Sequence, residues 1–157
     1  MVKINRKVEY ALIILRHMQT AGPEGRVTAK EMEEKFGLSF DVTSKVMQAL
    51  GQAGVLTSAK GAHGGYRLVR DLDQLSFHDL HALIQGPMSL ASCLHEEGSS
   101  CDLTGGCNII APIVALNEQV NALYKNLKVA ELLRQADRID YKQEAADIRE
   151  RHRLAAT

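Results

Sequence analysis

The sequence predicts a mainly α-helical chain carrying one small β-hairpin, and three observations carry that expectation. Three short helical patterns, each bounded by capping or breaking residues, occupy roughly the first 50 of its 157 residues. A glycine-interrupted pair of strand-like runs follows them directly. Further on, Ile109, Ile113, Leu116, Val120, Leu123 and Leu127 alternate spacings of four and three, the seam of a long helix that pairs with another.

The first pattern is set by Val8, Ala11, Leu12, Leu15 and Met18 and ends at the breaker Ala21-Gly22-Pro23. Thr28 with Glu31 three residues later makes a capping box opening a second helix, which stops at Gly37. The third starts at Ser39 or Asp41, either a good N-cap, and carries Val42, Val46 and Leu50 on one side. Residues 55–60 and 66–69 read as strands around Gly61-Ala62-His63-Gly64-Gly65. Three helices followed at once by a hairpin are the pattern of a winged helix-turn-helix, with the third helix as reader of base edges. Ser76 caps a fourth helix with Phe77, Leu80, Leu83 and Ile84 on its apolar side, ended by Gly86-Pro87. Pro112 belongs in the first turn of the long helix, where its missing N–H costs least. The narrow seam, with Asn117, Glu118, Asn121 and Lys125 on the opposite face, predicts a homodimer through residues 109–127. The expected organisation is a DNA-binding domain over 1–85, a cysteine loop over 86–108, a dimerisation helix with a short following helix over 109–136, and a charged tail over 137–157.

Net charge is zero, but residues 1–70 hold 11 Lys and Arg against 6 Asp and Glu, and the remainder reverses that excess of five. A basic half joined to an acidic half suits a polyanion-binding module with a separate regulatory part. No signal peptide pattern opens the chain and no run approaches the ~20 apolar residues of a membrane span, so a cytoplasmic protein without membrane contact is expected. The polar side chains expected to meet double-stranded DNA are Ser39, Thr43, Ser44, Lys45 and Gln48 on the third helix. Lys60 and His63 at the wing tip and Arg67 on its returning strand add cations for phosphate or minor groove.

All three cysteines stand in CLHEEGSSCDLTGGC, as Cys93, Cys101 and Cys107 with spacing Cys-x7-Cys-x5-Cys. An odd count without a secretion signal points away from a disulfide framework and toward metal or redox chemistry. Thiolates suit zinc, copper(I) and iron–sulfur clusters. A Cys3His zinc site using His95 and a metal-free thiol switch stand beside the cluster reading, since the tight Cys-x2–4-Cys knuckles of structural zinc are absent. Three cysteines leave one coordination position for an oxygen, nitrogen or exogenous ligand, which suits a sensor. An electron carrier or small redox enzyme would leave wing and reading helix without a use, and no acid–base pair or nucleotide loop is present.

Taken together, VEYAL in the first helix, LS and AGVLTSAKGAHGGYRL over the reading helix and wing, the three-cysteine loop and LKVAELL resemble the IscR/NsrR/RirA-type family of bacterial iron–sulfur winged-helix transcriptional regulators. The resemblance spans about residues 1–135. It implies a homodimeric regulator, acting as a repressor, that senses iron, redox or nitric oxide status through a 4Fe–4S or 2Fe–2S cluster. Cys93, Cys101 and Cys107 would be ligands, and Lys60 would stand at the wing position of a DNA-contacting arginine. Ser39, Ser44 and Lys45 match base-reading positions. The cluster loop of one protomer would lie close to the first helix of the other, where Glu9 matches the acidic ligand of NsrR-type members and His95 is the second candidate. Ile110 replaces the histidine ligand of IscR-type members, the first spacing is x7 rather than x5, and Val42-Thr43 replace an aromatic-leucine pair. Cluster type, signal and operator therefore stay open.

Overall fold

The computed structural model describes residues 4–59, 64–94, 106–137 and 151. Helix α1 (Arg6–Ala21) starts where the Asn5 side chain accepts a hydrogen bond from the Lys7 N–H, and it ends at Gly22 with φ 78°. Its apolar side, Val8, Ala11, Ile14, Leu15 and Met18, is fully enclosed and forms the strut of the core. Helix α2 (Ala29–Phe36) is capped as expected: the Thr28 side chain accepts from the Glu31 N–H at 3.1 Å. The second half of the box goes elsewhere, because the Glu31 carboxylate lies 2.6 Å from His17 Nε2 and so ties α2 to α1. Gly37, in the left-handed region at φ 65°, turns the chain into α3 (Phe40–Gln52). Ser39 occupies the N-cap of α3 without a side-chain bond, and its backbone N–H donates to the Tyr10 hydroxyl at 3.2 Å. The start of α3 is thereby held on α1.

Strands β1 (Leu56–Ala59) and β2 (Gly65–Leu68) pair antiparallel, from Leu56↔Leu68 to Ala59↔Gly65. β1 starts one residue later than expected and β2 is shifted one residue toward the N-terminus, an ordinary boundary shift. It does not hang free. Val27 and Tyr66 exchange both backbone hydrogen bonds, at 3.0 and 2.9 Å, which moors β2 to the segment before α2. A Cβ at Gly65 would stand 2.9 Å from the Val27 carbonyl oxygen, so this mooring requires glycine.

Helix α4 (Phe77–Gln85) begins at Ser76, whose side chain accepts from the Asp79 N–H at 3.0 Å. The hydrogen bond between the Ser76 hydroxyl and the Asp79 carboxylate holds that carboxyl below its ordinary value. Helix α5 (Ile110–Asn126) has Pro112 as its third residue, in the first turn. Its 17 residues run for about 25 Å. Helix α6 (Val129–Gln135) then returns: the Val129 and Ala130 N–H groups donate to Leu75 and Leu72, and Val129, Ala130 and Leu133 are buried in the core with α1, α3 and α4. Among the described residues, helices α1 to α6 and a two-stranded hairpin make a winged-helix body from which α5 stands out.

Unlike the other helices, α5 has no buried residue. Half of its seam faces outward, with Leu123 62 % exposed, Ile109 55 % and Leu116 49 %, while Ile113, Val120 and Leu127 are half-buried. The face expected to be wet is in part turned inward. Asn117 Oδ1 accepts from the Leu90 N–H at 3.1 Å, Tyr124 meets Phe77 edge-on at 5.0 Å, and Asn121 Oδ1 is enclosed without a partner. Only Glu118 and Lys125 of the expected polar four are exposed. Asn117, Asn121 and Tyr124 are half-buried together with Ile113, Val120 and Leu127, and the Ile109, Leu116 and Leu123 half of the seam is left uncovered.

Candidate nucleic-acid interface and cysteine loop

Helix α3 packs Val46, Met47 and Leu50 into the core, and Thr43 lies on that same side with no exposed surface. Thr43 therefore does not belong to the outward set in which its polarity had placed it: three residues before Val46 and seven before Leu50, it is carried inward by the helical period. Its Oγ1 is enclosed and has no hydrogen-bond partner. The outward ridge is Asp41, Lys45 and Gln48, at i, i+4 and i+7, all exposed. Ser39 is exposed at the helix start and Ser44 is half-buried at the edge of the ridge.

Beside this ridge a groove of about 420 Å³ separates α3 from the start of α2 and the hairpin base, with Lys30, Phe40, Ser44, Gln48 and Tyr66 among its lining. Its width comes from small residues, Ala29 below and Gly64 and Gly65 above. Arg67 projects from β2, but its guanidinium is already committed: Nη1 lies 2.9 Å from Glu24 Oε2, while Nε is enclosed without a partner. The pair is exposed on the Glu24 side, which keeps it weak. Lys60 and His63 lie outside the described residues.

Of the cysteines, Cys93 sits in a single 3-10 turn (Ser92–Leu94) and Cys107 three residues before α5. Both are half-buried free thiols. Cys101 and His95 lie outside the described residues. Both ends of the loop are fastened to one element. Cys107 leads into α5, and the segment before Cys93 is held to α5 by the Leu90–Asn117 hydrogen bond. The Ser89 hydroxyl stiffens that segment by donating to the Ala91 carbonyl at 2.8 Å. Glu9 is half-exposed near the start of α1, 3.8 Å from Arg6, in a small recess with Ile4 and Asn5. Among the described residues no three His, Cys, Asp or Glu side chains converge, so one chain does not gather Glu9 with Cys93 and Cys107.

Sequence reasoning missed Asp41 as an outward residue, although its i, i+4, i+7 relation to Lys45 and Gln48 was there to be read. The Asn117 tether had no signal, since an asparagine on a helix is as well satisfied by water. No helix among the described residues is long and apolar enough to cross a membrane.

Comparison with known proteins agrees with this architecture. The family model "Rrf2: Iron-dependent Transcriptional regulator" matches residues 4–135. Protein rrf2 of Nitratidesulfovibrio vulgaris is 26% identical over 138 residues, covering 86% of this chain and 89% of that protein. The structure of CymR, described as the global cysteine regulator of B. subtilis, superposes with a TM-score of 0.66 at 24% identity, over 86% of this chain and 98% of CymR. T. potens IscR superposes with a TM-score of 0.60 at 22% identity, over 86% of this chain and 88% of IscR. These two show a shared winged-helix fold. With the family model spanning nearly the whole described body and its wing, the chain belongs to the Rrf2 family and is a transcriptional regulator rather than an enzyme.

Proposed function

We propose that this regulator is a cytoplasmic homodimeric repressor whose hold on a double-stranded DNA operator is set by an iron–sulfur cluster at the cysteine loop. One observation carries the reading: every thiol of the chain lies within 15 residues, in a loop whose two ends are both fastened to α5. The family model's description as iron-dependent supports the same choice of metal. The donor set fits. Cys93 and Cys107 are free and half-buried, neither lost in the core nor paired as a disulfide, and Cys101 lies between them in sequence. Cys93, Cys101 and Cys107 would hold the cluster, 4Fe–4S or 2Fe–2S. Glu9 of a second copy would supply the fourth ligand, with His95 next in line. When bound, such a group supplies a centre that responds to oxidant, nitric oxide or loss of iron.

The rest is work for the chain's own residues. The exposed seam Ile109, Leu116 and Leu123 packs against the same seam of a second copy, forming a two-fold axis beside the loop. Asn117 and Tyr124 hold α5 on Leu90 and on Phe77 of α4. Helix α4 packs in turn on α1 and α3. A change in how the loop is held is therefore felt at the spacing of the two α3 ridges. Ser39, Ser44, Lys45 and Gln48 would meet base edges in the major groove, with Lys60, His63 and Arg67 on backbone or minor groove. A coupling of about 1–3 kcal/mol between loop and ridge is enough for roughly 5- to 150-fold regulation.

The test is anaerobic purification with visible absorbance and iron and sulfide assays, repeated on Cys107→Ser. The expected protein is brown, contains iron and acid-labile sulfide, and loses both on substitution. A colourless wild type with one zinc per chain, or with three titratable thiols and no metal, overturns the cluster. Either result leaves a zinc or thiol-switch regulator on the same fold.

A further inference from the structure

We infer that Asp41 is a specificity-determining residue of the DNA-reading face, accepting a hydrogen bond from a cytosine amino group in each half-site. The inference rests on the DNA-binding reading above and adds a residue that reading did not use. Asp41 lies in the first turn of α3, the part of a reading helix that reaches base edges. It is exposed on the ridge of Lys45 and Gln48, whereas Thr43, two residues on, is wholly enclosed. Among the described residues no side chain pairs with it, Lys45 included, one turn away on the same ridge. The carboxylate is therefore free for an outside donor.

Charge decides what that donor is. A carboxylate brought among phosphates is repelled by every one of them, so it weakens binding to any duplex that offers nothing in return. Of the four major-groove edges, guanine presents two acceptors, and thymine an acceptor and a methyl group. Adenine couples its amino donor to the N7 acceptor, leaving cytosine as the base whose own edge offers a donor alone. Asp41 thus acts twice: it accepts from cytosine at one position and penalises duplexes lacking it. That is discrimination by repulsion as much as by attraction. A neutral residue there would bind more tightly and less selectively.

The experiment is selection of duplexes from a random-sequence library by the full chain, purified anaerobically, in parallel for wild type, Asp41→Asn and Asp41→Ala. Affinities are then measured at one fixed salt concentration. Wild type is expected to enrich a two-fold motif with a cytosine in each half-site, whose replacement costs about 5- to 20-fold. Asp41→Ala should keep the rest of the motif, lose preference at that position, and bind random duplex more tightly. Asp41→Asn keeps the size of the side chain, so loss of the preference in both variants excludes a packing defect. A motif unchanged in both variants, or a wild-type motif without the cytosine, overturns the assignment. If wild type enriches no motif, the DNA-binding reading itself fails, which is a different result.

Discussion

The winged-helix body and the α5 arm differ in where their apolar residues find partners. In the body, the periodicity of α1, α3, α4 and α6 is met within the chain: Ile14, Leu15, Leu50, Leu80 and Val129 are all fully enclosed. In α5 an equally regular pattern is left open, with Leu123, Ile109 and Leu116 about half exposed or more. The same signal, apolar residues recurring at helical spacing, has two outcomes, and the polar residues between them decide which. Asn117 fastens one face of α5 to Leu90 and Tyr124 fastens it to Phe77 of α4, so Ile109, Leu116 and Leu123 turn away. The body folds by burying its pattern. The arm leaves half of its pattern uncovered.

That contrast can be broken from either side. Replacing Leu116 and Leu123 together by Asp should abolish the dimer. Sedimentation should read one chain, with far-UV circular dichroism still native, and operator affinity should fall about 100-fold or more as the two half-sites are no longer held together. A pair of substitutions that leaves a dimer would show that the seam is not its interface. On the body side, Leu50→Ala should cost about 2–4 kcal/mol of unfolding free energy, read by denaturant titration, because the emptied space at a fully enclosed site cannot collapse completely.

Smaller changes sharpen the comparison. Thr43→Val removes an enclosed hydroxyl that has no partner, so stability should rise by about 1 kcal/mol while operator affinity stays unchanged. A large loss of DNA binding in that variant would return Thr43 to the reading face. The smallest effect is expected at the start of α4. The Asp79 carboxyl is held below its ordinary value by the Ser76 hydroxyl, so its charged form stabilises the folded chain at and above the usual carboxylate range. The contribution goes as pH falls through the lowered value. Melting temperatures of wild type and Ser76→Ala should differ near neutrality, and the part due to Asp79 should begin to shrink below about pH 4 and be gone once the pH is under the lowered value.

Much of this fold could be read in advance because its signals are local. Thr28, Ser76, Gly37 and Gly86 mark helix ends by chemistry that needs no tertiary context, and each stands at the predicted boundary. The GGY run announced the hairpin, although not the reason for its second glycine, which is the Val27 carbonyl of a segment some 40 residues away. What stayed hidden depends on partners distant in sequence. Glu31 was expected to close its own cap and instead binds His17. Asn117 was expected in water and instead holds Leu90. Thr43 is the converse: the helical period was available, and polarity was allowed to outweigh it. Of the reading face, the outward ridge was legible for Lys45 and Gln48 and overlooked for Asp41. Of the cysteine site, spacing shows only that the thiols are neighbours in sequence.

Two adjacent residues of α1 carry a further consequence. Tyr10, through its hydroxyl, grips the backbone at the head of α3, and the residue before it, Glu9, stands about 100° round the same turn, beside Arg6. A tilt imposed on one is delivered to the other over a single peptide unit, with no loop between to absorb it. The first helix is then a short lever, its two arms one residue apart.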